Sequence, residues 1–186
     1  MILLASRSPQ RRALLAALGV AFRVVAPRAE EGDDPLANAR AKAREVAARA
    51  GVPEGGAVLG ADTEVILEGR VLGTPGDAAT ARGELAALAG RTHVVRSAVC
   101  MITQRGEREV VDDARVTFRP LSEGAIDRYV ATGEWRDRAG GYAIQGAGGA
   151  LVERVEGDYT TVVGLPVDRL AALLEDLGLA AGDPER

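Results

Sequence analysis

The chain has 186 residues, 47% of them hydrophobic, which is enough to bury a substantial core in one domain or two small lobes. Its formal net charge of −4 and pI near 5.2 argue against nucleic acid polymers and acidic membranes as partners, so any anion site must be a local concentration of Arg and Lys. The single cysteine, Cys100, excludes an internal disulfide, a cysteine zinc site and a cysteine-ligated iron–sulfur cluster, and with no apolar leader or membrane-length stretch a cytoplasmic protein is expected.

The apolar run Ile2-Leu3-Leu4, the break Ala5-Ser6-Arg7-Ser8-Pro9 and the periodic Leu14-Leu15-Leu18 predict strand, loop and helix, with Ser8 as N-cap and Pro9 at the first helical position. A helix N-terminus carries partial positive charge and normally recruits Asp or Glu, yet Arg11 and Arg12 stand in this first turn. With helix NH groups and two serine hydroxyls they suit a phosphate; the alternative is a capped helix whose arginines point into water. Gly19 and Ala21-Phe22-Arg23-Val24-Val25 predict a helix stop and a second strand, and Glu30-Glu31-Gly32-Asp33-Asp34-Pro35 an acidic loop. A helix follows from about Leu36 to Ala50, ended by Gly51, and Lys42 within it is by default a solvated charge.

Residues 57–67 read as a strand, apolar at first and then interrupted by polar residues. Asp62 and Glu64 share a face if the strand continues. A carboxylate at the end of an apolar strand stands where α/β folds hold ligands, with a turn or cap role as the competing reading of Asp62, and Glu64 is expected on the solvent face. Turn clusters flank Val71-Leu72, and Asp77 caps a helix reaching about Ala89 and stopped by Gly90. Residues 91–103 and 107–118 predict two long strands joined near Gln104-Arg105-Gly106, an antiparallel hairpin that makes the sheet mixed. The lone histidine, His93, has no second His or Cys at ligand spacing and reads as a hydrogen-bonded strand residue, and Cys100 as a core thiol. Ser122 caps a helix ending near Gly133. The glycine-rich loop from Glu134 to Gly146 lacks both a G-x-G-x-x-G after a strand and a Walker lysine, which excludes dinucleotide and P-loop readings there. A strand over Leu151–Val155, a turn over Glu156–Tyr159, a closing helix over Val167–Leu177 and a frayed tail at 181–186 complete the chain.

Leu4-Ala5-Ser6-Arg7-Ser8-Pro9-Gln10-Arg11-Arg12, Gly60-Ala61-Asp62-Thr63, Gly90-Arg91-Thr92-His93 and Ala139-Gly140-Gly141-Tyr142-Ala143-Ile144-Gln145-Gly146 together resemble the Maf family of nucleotide pyrophosphatases, as do Glu156-Gly157-Asp158-Tyr159 and Val163-Gly164-Leu165-Pro166. The resemblance runs from residue 2 to about 178 in the family's order and spacing. It implies a single catalytic domain over 1–180 of α/β class, with a long mixed twisted sheet flanked by helices and two lobes around a central cleft, as in inosine-triphosphate pyrophosphatases. It further implies hydrolysis of a nucleoside triphosphate to the monophosphate and pyrophosphate with a divalent cation, Mg²⁺ or Mn²⁺, and a homodimer.

In that resemblance Ser6, Ser8 and Arg11 match the phosphate-cradling loop; Glu31, Lys42 and Asp62 match the catalytic acid, lysine and proton acceptor; Thr63 and Gln145 match base-selecting positions. Glu31 and Asp62, with substrate phosphate, suffice as oxygen ligands for magnesium. Two departures stand out. Gly73-Thr74-Pro75 replaces the family's common Gly-Lys-Pro, leaving Arg70 or Arg138 as the substitute phosphate cation or a lower turnover, and Gln10 stands where the uridine/thymidine branch has an arginine. Thr63 and Gln145 favour UTP, dTTP or modified relatives as substrates; the competing expectation is a nucleotide-binding regulatory protein linked to septum formation, with Thr74 marking weakened catalysis.

Overall fold

The structure is a computed structural model and describes residues 1–180; the tail expected at 181–186 lies outside the described residues. The first strand, β1 (Ile2–Ala5), is apolar throughout because both of its faces are covered. Ile2 and Leu4 enter one cluster with Leu15, Leu59, Met101 and Leu170, while Leu3 and Ala5 enter another with Ala39, Ala43, Val46 and Val58. A period of two thus feeds two cores, as a parallel strand in a covered sheet requires.

Strand ends and helix starts follow the capping chemistry of the sequence. Helix α1 (Pro9–Ala17) begins at Ser8, whose hydroxyl accepts from the Arg11 amide, and α2 (Pro35–Ala50) begins at Asp34, whose carboxylate accepts from the Leu36 amide and ends at Gly51 with φ 75°. Between them β2 (Phe22–Val24) pairs parallel with β1, which on its other side pairs parallel with β3 (Ala57–Leu67), Leu4 opposite Leu59. The short β4 (Arg70–Leu72) folds back antiparallel on β3, and Asp77 caps α3 (Ala78–Leu88). Strands β5 (Thr92–Thr103) and β6 (Gly106–Phe118) are sheet neighbours joined by the two residues Gln104-Arg105, a connection only an antiparallel pair allows. Helix α4 (Glu123–Thr132) is capped by Ser122 and ends at Gly133 in the left-handed conformation. Strand β7 (Val152–Glu156) pairs antiparallel with β6, and the chain closes through α5 (Tyr159–Val163) and α6 (Val167–Asp176). The result is one seven-stranded mixed sheet in the order β2-β1-β3-β5-β6-β7, with β4 beside β3.

The chain forms two compact units: Met1–Asp62, Ser97–Asp112 and the segment from Gly164 make the first, Thr63–Arg96 and Asp113–Val163 the second. The boundary falls inside β3, between Asp62 and Thr63. In the second unit Leu72, Leu85, Val116, Phe118, Trp135 and Tyr142 share one core.

Three local expectations are corrected. Glu64, expected on the solvent face, is buried, because the face of β3 on which it stands is covered rather than open to water. The loop after α4 contains 3₁₀ turns at Ala139–Gly141 and Ala147–Leu151, and the turn expected through Tyr159 ends instead in the first residue of α5. Runs this short are set by single backbone angles, such as φ 65° at Gly140, rather than by a repeating pattern.

Candidate active site

The polar groups of the first unit converge on Asp62 at the end of its part of β3. Gly60, two residues earlier, makes this close approach possible: a Cβ there would lie 2.2 Å from the Ala39 carbonyl oxygen and 2.8 Å from the Ala43 nitrogen. Helix α2 therefore rests directly on the strand, and the side chains on the facing turn of α2 reach the carboxylate.

Lys42 Nζ donates to Asp62 Oδ1 at 2.6 Å and pairs with Glu31 Oε1 at 2.8 Å. Its ammonium is buried, which corrects the expectation of a solvated helix charge. Two carboxylates compensate the desolvation that burial of a lone cation would cost. One turn earlier on the same face of α2, Asn38 Nδ2 donates to Asp62 Oδ2 at 2.8 Å, so both oxygens of the carboxylate are held by donors from one helix.

The guanidinium of Arg11 approaches from α1. Its Nε donates to the Gly164 carbonyl and its Nη1 to the Ala61 carbonyl, each at 2.9 Å, while Nη1 lies 3.5 Å from Ser6 Oγ and Nη2 4.0 Å from Asp62 Oδ1. The arginine in the first turn of α1 is thus turned inward to β3 beside Asp62. Ser6, buried at the tip of β1, accepts from the Ser8 amide at 3.2 Å, and the Ser8 hydroxyl donates to Gln10 Oε1 at 3.2 Å.

Ser6, Arg11, Glu31, Lys42 and Asp62, expected to act together, are therefore joined in one connected set of contacts, with Ser8 and Gln10 one contact further out. Thr63, Arg138 and Gln145 belong to the second unit. There the loop bearing Gln145 is tied at both ends: the Ala143 amide donates to Tyr129 Oη at 2.9 Å, and the Ala147 and Gly148 amides donate to the two oxygens of Glu134 at 3.2 and 3.4 Å. Gln145 itself is exposed, and Gly146 beside it adopts φ 134°. Thr74 is exposed as well, while the Gly73 carbonyl accepts from the Gly140 amide at 2.9 Å.

Asn38 was missed in the sequence. Its signal was present: a polar residue of indifferent helix propensity inside an Ala-rich helix, four positions before Lys42 and so on the same face.

Arg11 and Lys42 against Glu31 and Asp62 leave this group of four without net charge, so a polyphosphate placed here would need further positive charge. The donor set fits a hard divalent cation: carboxylate oxygens each carry two lone pairs, Asp62 commits one on each oxygen, and the Glu31 side chain is 59% accessible. A second group, Cys100 with Glu107 and Glu109, has its ligand atoms within 4.8 Å of one another. Arg44 forks onto Glu107 and Arg40 onto Glu109, and burial pushes the Cys100 thiol up to about 11, so these side chains form ion pairs over a protonated thiol.

The serine-bearing loop, the inward arginine and the lysine-bridged acid pair gathered at Asp62 stand in a chain that one family model matches over almost its whole length. The chain belongs to the Maf-like protein family, whose model matches residues 1–177. Among its relatives, proteins called dTTP/UTP pyrophosphatase from Thermus thermophilus and Anaeromyxobacter are 51% and 48% identical, covering 93% and 95% of this chain and 92% and 89% of their own. A dTTP/UTP pyrophosphatase from Moorella thermoacetica is 47% identical over 96% of this chain and 95% of its own. The fold is shared with a HAM1 protein from Coxiella burnetii at a TM-score of 0.57 and 15% identity, covering 94% of this chain and 98% of that one.

Proposed function

We propose that the protein hydrolyses dTTP and UTP, or modified relatives of them, to the nucleoside monophosphate and pyrophosphate. The observation that carries this reading is the connected set around Asp62, in a chain about half identical to proteins named for that activity. Water attacks the α-phosphorus, the bond from that phosphorus to the oxygen bridging to the β-phosphorus breaks, and pyrophosphate leaves.

Asp62 accepts the proton of the attacking water with a lone pair that neither Lys42 nor Asn38 occupies. Lys42 holds Asp62 and Glu31 in register and offsets their charge as the polyanion arrives. Ser6, Ser8 and Arg11 receive phosphate oxygens, the arginine already aimed by its two carbonyl bonds. Arg138 contributes positive charge where Thr74 supplies none, and Gln10, Thr63 and Gln145 select the base, with hydrogen-bonding side chains able to discriminate strongly. Glu31 and Asp62 would hold a divalent cation, Mg²⁺ or Mn²⁺, which would supply neutralisation of phosphate charge and polarisation of water. The residues 1–180 are read as one catalytic domain working on free nucleotides in the cytoplasm. Among the described residues no helix is long and apolar enough to cross a membrane.

The test is pyrophosphate release from a panel of ordinary and modified triphosphates, with and without Mg²⁺ or Mn²⁺ and after chelation. Release from dTTP and UTP that chelation abolishes is expected. Orthophosphate as the first product overturns the reading, and nucleotide binding with pyrophosphate at background would leave the regulatory alternative.

A further inference from the structure

Asn38 is buried on α2 and uses three of its four hydrogen-bonding positions. Its Oδ1 accepts from the Gly32 amide at 2.7 Å, while its Nδ2 donates to the Gly32 carbonyl at 2.8 Å and to Asp62 Oδ2 at 2.8 Å. Both backbone groups of the residue following Glu31 are therefore fastened to the same amide that fastens Asp62. A closed circuit results: Asp62 to Lys42, Lys42 to Glu31, Glu31 through its peptide bond to Gly32, Gly32 to Asn38, and Asn38 back to Asp62.

We infer that Asn38 is a positioning residue for the hydrolysis proposed above, setting the orientation of the Asp62 carboxylate and the place of the Glu31 loop at the same time. Lys42 alone leaves either carboxylate free to swing about its own bonds, since an ammonium is a point charge with rotatable donors. The planar amide of Asn38 removes that freedom from Asp62 by pinning its second oxygen, and it fixes the place from which Glu31 reaches Lys42 by pinning the adjoining backbone. It does so without adding charge, so the balance of two cations and two carboxylates is kept. The inference rests on the pyrophosphatase reading, yet the circuit also has a consequence independent of turnover. Released from Asn38, the segment before α2 loses its tie at Gly32 and opens more readily around Arg28, which is already exposed, so that a protease can accommodate the peptide bond after it.

The experiment compares Asn38→Leu, which keeps the volume and removes the amide, with Asp34→Ala, which removes the cap of the same helix and leaves the circuit intact. For Asn38→Leu the expected result is a fall of about 30- to 100-fold in kcat for pyrophosphate release from dTTP, the scale of a small misplacement of catalytic groups. KM should stay within about threefold, because uniform binding is untouched. Trypsin should nick the folded variant after Arg28 about tenfold faster, as a locally opened segment allows. Asp34→Ala should lower Tm with kcat within about twofold of the parent. A parental kcat in Asn38→Leu overturns the inference, as does an equal loss of kcat in both variants at an equal drop in Tm. If the parent protein itself releases no pyrophosphate, it is the functional reading that fails, and the proteolysis arm alone then decides whether Asn38 holds the loop.

Discussion

The two units treat buried polar groups in opposite ways. In the first, Lys42 and Asn38 are buried against carboxylates, and each takes up one lone pair of an Asp62 oxygen. In the second, His93 is buried edge-on to Phe118 and Tyr142; its Nε2 shares a hydrogen bond with Tyr142 Oη at 2.8 Å, and its Nδ1 has no partner among the described residues. Burial pushes the imidazole down to about 4, so it is neutral near pH 7, and it pushes the Tyr142 phenol up. The difference teaches what each interior is for. A charge brought inside with partners can do work on a substrate, whereas a titratable group brought inside with aromatic rings is discharged and serves packing. Substitutions at the polar groups gathered on Asp62 should therefore register chiefly as rate, and substitution of His93 as stability.

The largest expected effect tests the first half of that contrast. Asp62→Asn keeps the shape of the carboxylate but removes the proton acceptor, and pyrophosphate release should fall by about 10²- to 10⁴-fold, with a Tm loss limited by the Glu31 carboxylate that still pairs with Lys42. A loss of fold instead of rate would break the contrast outright. Next comes the discharged histidine. With a folded pKa near 4 and an unfolded one near 6.5, the unfolded chain takes up the proton first as pH falls. The contribution of His93 is then fully present above pH 6.5 and lost progressively down to about pH 4, amounting to roughly 3 kcal/mol. Urea unfolding at steps between pH 7 and 4.5 should show this slope, and His93→Phe should flatten it.

Gly60→Ala joins packing to chemistry. Its Cβ would meet the Ala39 carbonyl, so α2 must shift, with a cost of about 1–3 kcal/mol by denaturant titration and a fall in turnover as Lys42 and Asn38 move off Asp62. Stability lost with turnover untouched would show that the site tolerates a displaced α2. The smallest effect belongs to the second unit: Ser122→Ala removes the cap that the Ala125 amide uses and should cost about 1 kcal/mol with kcat unchanged.

Much of the fold was legible because its signals are local. Ser8 with Pro9, Asp77 and Ser122 mark helix starts, Gly51 and Gly133 mark ends, and the strand read at 57–67 is β3 residue for residue. The candidate site was legible where a motif lies in one stretch, as from Ser6 to Arg11. What could not be read depends on contacts between distant residues. In its own stretch Lys42 looks like any lysine on an Ala-rich helix and only the family resemblance singles it out; Gly60 lets α2 settle on β3, and the same contact gives Asn38 its partner. Glu64 stands two residues from Asp62 as a surface residue would, and its burial depends on the chain that covers that face of β3, which local sequence does not display.

The anchoring of Arg11 has a consequence for how the protein can change. Both of its 2.9 Å bonds end on main-chain oxygens, those of Ala61 and Gly164, which every amino acid possesses. A replacement at Ala61 that preserves the chain path leaves the guanidinium aimed as before, whereas Gly164, at φ 124°, presents its carbonyl from a conformation that favours glycine, so sequence can drift on one side of the fork only. Lysine at position 11 has no fork to span both oxygens, and there the freedom to vary stops.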